Sequence, residues 1–419
     1  MHRPLPNFIM NEWLSLEELR LAYLECRKRK RNTEACAIFE INECLNLVNL
    51  LDDLNNGTYQ IGYSNAFCVT RPKLREIFAA DFRDRIVHHL IIRKIEPLLE
   101  AYFIDNSCSC RVGKGTQYGH QQALKMASEY ADGWVMSGDI QSYFTSIPKQ
   151  QLANEMETFV RERYTGNDIE QLIWLIRIVI MHEPQNLCHM KGDLKLFNML
   201  PEDKSLRTCK KGHGMAIGNL TSQKKGNFHL TPFDILMSVT LNLAYIRYTD
   251  DWQAFSHTKE PLLKALPVAR KFLSEDRHVT LHPRKIKIQQ VRKGFTFIGA
   301  AFKRGQIRTG KRTYGNCYNF IIRYNNLSKE DFLKGVERFV QSYNSYMGYM
   351  KHQRSYSIRY KLWQTVSSEI KTFVYINDKL NVIHTKSEYR QRTILKKEYH
   401  GIRKQHQRRR LHQVKETAA

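Results

Sequence analysis

The stretch Ala244-Tyr245-Ile246-Arg247-Tyr248-Thr249-Asp250-Asp251-Trp252-Gln253-Ala254-Phe255 sets two adjacent carboxylates between runs rich in aromatic and β-branched residues. Such runs predict a β-hairpin with Asp250 and Asp251 at its tip. Neighbouring aspartates repel, which is costly beside apolar strands unless a cation lies between them and a further acid. A divalent ion suits that position, and hard carboxylate oxygens favour Mg²⁺. A solvated Asp-Asp turn is the plainer reading of the pair alone.

Gly138-Asp139-Ile140-Gln141-Ser142-Tyr143-Phe144 supplies the further acid. Trp134 to Ser137 reads as a buried strand, so Asp139 stands at a strand end, and two aromatics follow on the next turn. Three carboxylates at strand ends are what two-metal phosphoryl transfer needs: one ion activates an attacking 3′ oxygen, the other neutralises leaving phosphates. Tyr248-Thr249-Asp250-Asp251 resembles the YxDD box of reverse transcriptases, and Asp139-Ile140-x-x-Tyr143-Phe144 resembles their first aspartate motif. Between them lies Ile217-Gly218-Asn219-Leu220-Thr221-Ser222-Gln223, where that superfamily carries a Gly-containing segment against template and nucleotide. Most members have Gln before the Gly and Pro after the Ser. Ile217 and Gln223 instead resemble the reverse transcriptases of diversity-generating retroelements.

The resemblance implies RNA-directed DNA synthesis with two Mg²⁺ ions, Mn²⁺ being a possible substitute. Asp139, Asp250, Asp251 and the Ile140 carbonyl would hold metal. Phe144 would close the floor under the sugar and exclude a 2′-hydroxyl, whereas Tyr143 better fits an ordinary core aromatic. Gly218 and Gln223 would line the nucleotide site. Ile217, unable to replace a glutamine's hydrogen bond, and Arg75 would set fidelity. Leu281-His282-Pro283-Arg284-Lys285-Ile286 resembles the family's lysine motif, making Lys285 the candidate general acid to pyrophosphate, with Lys287 as rival.

Composition agrees with a polyanion partner. Lys and Arg number 66 against 41 Asp and Glu, net +25, and a field of that sign points to nucleic acid. A hydrophobic content of 42% argues against disorder. No run approaches a membrane span and Met1 to Met10 lacks a signal-peptide core, so a cytoplasmic protein without membrane contact is expected. The nine cysteines form no CxxC pair and read as reduced thiols.

The expected fold is α+β, a right-hand polymerase. Residues 1–60 form a helical extension, 61–130 the fingers, 131–300 the palm, 301–385 a helical thumb and 386–419 a basic tail. Strand–helix–strand–strand–helix–strand order predicts a ferredoxin-like palm with an antiparallel sheet. Ser15-Leu16-Glu17-Glu18 predicts a helix start, and Ser328-x-x-Asp331 another. Alternation on a fingers hairpin puts Arg71, Lys73 and Arg75 on one face, suited to a triphosphate. Arg71, Arg83, Arg111 and Lys114 are candidate template or primer contacts. Gly294-Phe295-Thr296-Phe297-Ile298-Gly299 resembles the hairpin that grips the primer end, through Phe297 and Gly299. His88 and His89 read as helix surface or core. The run Arg27 to Arg31 is either a phosphate clamp or a solvated loop, and the tail either an RNA- or partner-binding arm or a disordered end.

Residues 183–213 form a polar insertion whose Cys188, His189, Cys209 and His213 could supply zinc ligands, although without finger spacing; a loop or accessory contact is expected instead. Gly226 and Pro232 should weaken the helix after Gln223. Thumb stripes are expected at Phe332, Val336, Phe339, Val340, Tyr343 and Met347, and on a second helix at Ile358, Leu362, Val366, Ile370 and Phe373. The resemblance further implies template RNA, cDNA and dNTPs as ligands, a small basic accessory protein, and mutagenic retrohoming with errors at template adenines. A phage-defence or retron-type reverse transcriptase, and a non-catalytic RNA-binding scaffold, are the alternatives.

Overall fold

A computed structural model describes residues 12–389 apart from Arg29 and Pro72. The tail from Arg390 onward, Arg29 of the basic run and the segment Met1–Met10 lie outside the described residues. The chain divides into two compact units, with the break between Gly305 and Gln306. No described helix is long and apolar enough to cross a membrane.

The first unit opens with helices α1 (Leu16–Arg27), α2 (Glu34–Ile41) and α3 (Glu43–Asn55). Ser15 caps α1 by accepting from the Glu18 N–H at 3.2 Å. Strands β1 (Ser64–Val69) and β2 (Arg75–Ala79) then pair antiparallel. Helix α4 (Phe82–Tyr102) starts at the Asp81 cap, and α5 (Thr116–Glu129) follows. Leu19, Tyr23, Leu50 and Leu54 of the N-terminal helices share one core with Ile86, Leu90 and Ile91 of α4 and with Trp252 of the palm. The extension is therefore packed into the same body.

Strand β3 (Trp134–Asp139) leads through the single turn α6 (Tyr143–Ser146) into α7 (Lys149–Arg163) and α8 (Ile169–Met181). Here the expected loop is corrected. Residues 188–190 form strand β4, paired parallel with β1 from Ser64↔Cys188 to Ala66↔Met190. After the short helix α9 (Lys195–Asn198), Ser205 Oγ donates to Glu76 at 2.9 Å and the Leu206 N–H donates to the same carboxylate. The insertion thus completes the β1–β2 sheet.

Helix α10 (Leu220–Ile235) is continuous through Gly226 and Pro232, contrary to expectation, and passes into a π turn at Leu236–Thr240. Its packing overrides its weak propensity. Twelve of its residues are buried, among them Lys224, Lys225, Asn227, His229 and Asp234. Strands β5 (Ala244–Tyr248) and β6 (Asp251–Ser256), helix α11 (Glu260–Glu275) and strand β7 (Lys287–Gln290) finish the palm. The sheet order is β5-β6-β3-β7 with every pair antiparallel, the ferredoxin-like arrangement. The hairpin β8 (Phe295–Phe297) and β9 (Ala300–Lys303) closes the unit.

The second unit begins with β10 (Gln306–Thr309) and is mainly helical, with α12 (Lys311–Asn325) and α13 (Lys329–Met350). Ser328 caps α13, accepting from the Asp331 N–H at 3.2 Å, and the expected stripe from Phe332 to Met347 lies in its core with Val340 partly covered. The second stripe is split. Helix α14 (Tyr356–Thr365) ends, Ser367 caps again, and α15 (Ser368–Phe373) carries Ile370 and Phe373 into the same core. Strands β11 (Val374–Ile376) and β12 (Ile383–Thr385) form a final hairpin.

Candidate active site

The β5–β6 hairpin turns through Thr249 and Asp250, and Tyr248 faces Asp251 across it. Thr249 adopts φ +59°, uncommon for a β-branched residue. Two bonds hold that turn: its N–H donates to Ser109 Oγ at 3.1 Å, and its carbonyl accepts from Arg247 Nη1 at 2.9 Å. Arg247 is fully buried and binds Asp234 through Nε at 2.6 Å and Nη2 at 2.5 Å. It also reaches Asn227 Oδ1 at 3.2 Å and Ser107 Oγ at 3.1 Å. Asn227 Nδ2 in turn donates to the Ser109 carbonyl at 2.6 Å. A fully bonded buried polar network rigidifies what it touches, and here it touches the turn that carries the acids.

Asp139, the last residue of β3, is the direct cross-strand partner of Asp251. The Ile140 N–H donates to the Asp250 carbonyl at 3.2 Å, fixing Ile140 beside the turn. Carboxylates from β3, from β6 and from the turn before β6 therefore meet at one sheet end. Gly138 makes this pairing possible, since a Cβ there would lie 2.2 Å from the Trp252 ring. Lys285 Nζ, from the loop before β7, donates to Asp139 Oδ1 at 2.6 Å. Lys287, the rival, lies in β7.

Electrostatics follow the crowding. Burial pushes the Asp251 carboxyl up to about 7, with Asp250 and Asp139 adding to the effect and the Ile298 N–H opposing it. Burial and Asp139 likewise raise Asp250, while Arg75 and Lys285 work against the rise. Among the described residues, no three His, Cys, Asp or Glu side chains are gathered closely enough to hold a metal ion by themselves. The donor set, hard carboxylate oxygens of which Asp250 and Asp251 are held up chiefly by burial, nevertheless suits a divalent cation.

Arg71 and Lys73, in the β1–β2 connection, and Arg75, at the start of β2, are all exposed, whereas Glu76 and Phe78 of β2 are buried. The Ile217 carbonyl accepts from the Phe78 N–H at 3.2 Å, and Asn219 Oδ1 from the Ala80 N–H at 3.1 Å. Gly218 takes φ +119° between them, with Ile77 so close that a Cβ would lie 2.8 Å away. Gln223 is exposed on α10. Phe144 is half-buried and tilted against Tyr143, whose hydroxyl donates to the Gly226 carbonyl at 2.6 Å. Tyr143 is thus the core aromatic of the pair.

Several residues expected to meet nucleic acid have partners within the protein. Arg111 binds Glu100 at 2.7 Å and the carbonyls of Glu100, Ile104 and Ser107, with its side chain only 4% exposed. Arg83 pairs with Asp53 and lies over the Tyr59 ring. Lys114 Nζ donates to the Asp105 carbonyl at 2.6 Å. Arg27, at the head of the basic run, pairs with Glu40 at 2.8 Å. Phe297 is buried, so its ring is core, and Gly299 occupies the β8–β9 turn with φ +76°. The neighbouring Ile298, at φ +47°, donates its N–H to Asp251 at 3.4 Å. His88 is core. The proposed zinc ligands are not assembled: Cys188 and His189 sit in β4, and Cys209 Sγ donates to the Leu206 carbonyl at 3.2 Å.

Sequence reasoning assigned no role to Arg247, Asp234, Asn227 or Ser109. One signal was present: an arginine inside an apolar, buried strand needs a buried acid.

No curated protein matches the chain. Among solved structures, a telomerase from Candida albicans in complex with a TWJ fragment of telomeric RNA matches with a TM-score of 0.42 and 11% identity. The match covers 74% of this chain and 55% of that one, so the chain spans about half the length of that telomerase. A family model described as reverse transcriptase (RNA-dependent DNA polymerase) matches residues 70–302, from the connection after β1 into strand β9. The chain belongs to the reverse transcriptase family.

Proposed function

We propose that this protein copies RNA into DNA by two-metal nucleotidyl transfer, and that it serves a diversity-generating retroelement. The observation that carries the chemistry is the cross-strand pairing of Asp139 with Asp251, with Asp250 at the adjoining turn. Asp139 and Asp250 would hold the metal, supported by Asp251 and the Ile140 carbonyl. Divalent cations there would favour ionisation of the primer 3′-hydroxyl and offset charge on the phosphates. Arg71, Lys73 and Arg75 offer an exposed cationic face to a triphosphate. Lys285, already against Asp139, is the proton donor for pyrophosphate. Phe144 is the residue that meets a 2′-hydroxyl.

The narrower reading rests on Ile217 and Gln223. An isoleucine offers no side-chain hydrogen bond near the nascent base pair. Each such contact contributes about 1–3 kcal/mol of discrimination, so its loss loosens selection. Errors opposite template adenines, transfer of the mutated copy into a variable gene, and a small basic accessory protein belong to this reading. It is tested by sequencing cDNA made from a cognate RNA with wild type and Ile217→Gln. Errors should concentrate at adenines and fall in the variant. Uniformly low error in the wild type, with the cognate RNA and accessory protein present, would favour a defence or retron role instead.

A further inference from the structure

Lys224 and Lys225 are consecutive, both buried, and treated very differently. Lys224 Nζ is held by Glu96 at 2.6 Å and Glu100 at 2.9 Å. Lys225, 3% exposed, has neither hydrogen bond nor ion pair among the described residues. It lines a cavity of about 30 Å³ together with His88, His182, Thr221, Ser222, Asn219 and Ala80. His88 Nδ1 and His182 Nε2 are buried and have no hydrogen-bond partner. Three side chains that carry unpartnered nitrogens, from three parts of the fold, therefore line one small space.

We propose that this cavity is a binding site for a small inorganic anion of halide size, held by Lys225 Nζ, His88 Nδ1, His182 Nε2 and the first turn of α10.

Charge balance leads to this assignment. The groups acting on His88 are Lys225, His89, His182 and Arg85, all basic. Lys149 acts on Lys225 and His182. The carboxylate nearby, Glu183, is 4.0 Å from Lys149, whose Nζ also donates to the His182 carbonyl at 2.8 Å. A buried ammonium without a counter-charge must lose its proton or gain an anion; with none, burial and Lys149 push Lys225 down to about 7. The helix end adds to the attraction. Asn219 makes no side-chain cap bond to α10, because its Oδ1 is taken by the Ala80 N–H. The first-turn N–H groups and the Thr221 hydroxyl thus remain donors beside Lys225. Each imidazole can also donate in the neutral tautomer that protonates the cavity nitrogen.

Size limits the ligand. A water needs roughly 10–15 Å³ of such space, so the cavity holds two or three waters or one halide, but not a nucleotide phosphate with its sugar. The site joins α4, the end of α8 and the start of α10, directly behind the Ile217–Asn219 segment. An anion there would stiffen the backing of that segment.

The test uses the full chain. Melting temperature is followed as sodium gluconate is replaced by sodium chloride or bromide at constant ionic strength, for wild type and Lys225→Met. Wild type should show a saturable rise on the order of 2 °C, absent in the variant. Crystals soaked in bromide should give an anomalous peak in the cavity. This second measurement stands even if Lys225→Met fails to fold. Equal melting in both salts, a rise retained in Lys225→Met, or bromide only on surface lysines would overturn the proposal and leave a neutral Lys225 facing water.

Discussion

Arg247 grips Asp234 with two prongs, Nε to Oδ1 and Nη2 to Oδ2, and neither side chain is exposed to solvent. The same guanidinium donates to the Thr249 carbonyl, one residue before Asp250. Replacing Arg247 by Met should cost about 3–5 kcal/mol, because Asp234 is left as a buried charge without a partner. Urea unfolding measures this. The double variant Arg247→Met/Asp234→Leu should be more stable than the single one. A single variant within about 1 kcal/mol of wild type would show that the pair contributes little.

Acid should destabilise the protein through its buried imidazoles. His229 is fully buried beside Arg277, its Nε2 without a partner, and burial pushes its pKa down to about 3. In the unfolded chain the same ring titrates near 6.5. Between those values the unfolded state binds the extra proton, so stability falls as pH falls, by at most about 1.4 kcal/mol per unit for this group. His88, also near 3, acts in the same direction. Urea midpoints measured from pH 7 to pH 4 should fall less steeply in His229→Gln than in wild type. Parallel curves would contradict the assignment.

Phe144 is half-buried, lies against Tyr143, and follows Asp139 closely in the chain. Phe144→Ala should raise ribonucleotide incorporation relative to deoxynucleotide by roughly 10–100-fold, the range over which shape alone rejects an added hydroxyl. Single-nucleotide extension kinetics measure the ratio. Unchanged discrimination would assign the ring to core packing.

The acids were legible because their signals are local. Adjacent carboxylates between two β-rich runs mark a hairpin tip, and an acid closing a buried strand marks a sheet end. Of the basic alternation, Arg75 alone lies in a strand, where a period of two sets its face; Arg71 and Lys73 stand in the β1–β2 connection, where no such period acts. The bond from Arg111 to Glu100 was not legible, because an arginine looks the same in sequence whether its partner is phosphate or a carboxylate, and this one depends on a turn closed in space. The β4 strand was missed because its partner, β1, lies more than a hundred residues earlier, and its three residues carry no periodicity. Helix α10 appeared weak on propensity. Its stability comes from burial and from polar partners elsewhere in the chain, which no local window contains.

The central claim is that Asp139, Asp250 and Asp251 form the catalytic centre of an RNA-directed DNA polymerase. Primer extension on a primed RNA template with dNTPs and Mg²⁺, comparing wild type with Asp250→Asn, tests it most directly. Wild type should extend the primer. The variant should lose extension by about 10³-fold or more, while keeping RNA binding and unfolding no more readily than wild type, since it sheds a carboxylate that burial and Asp139 already disfavour. An Asp250→Asn protein that still extends the primer at a wild-type rate would contradict the account.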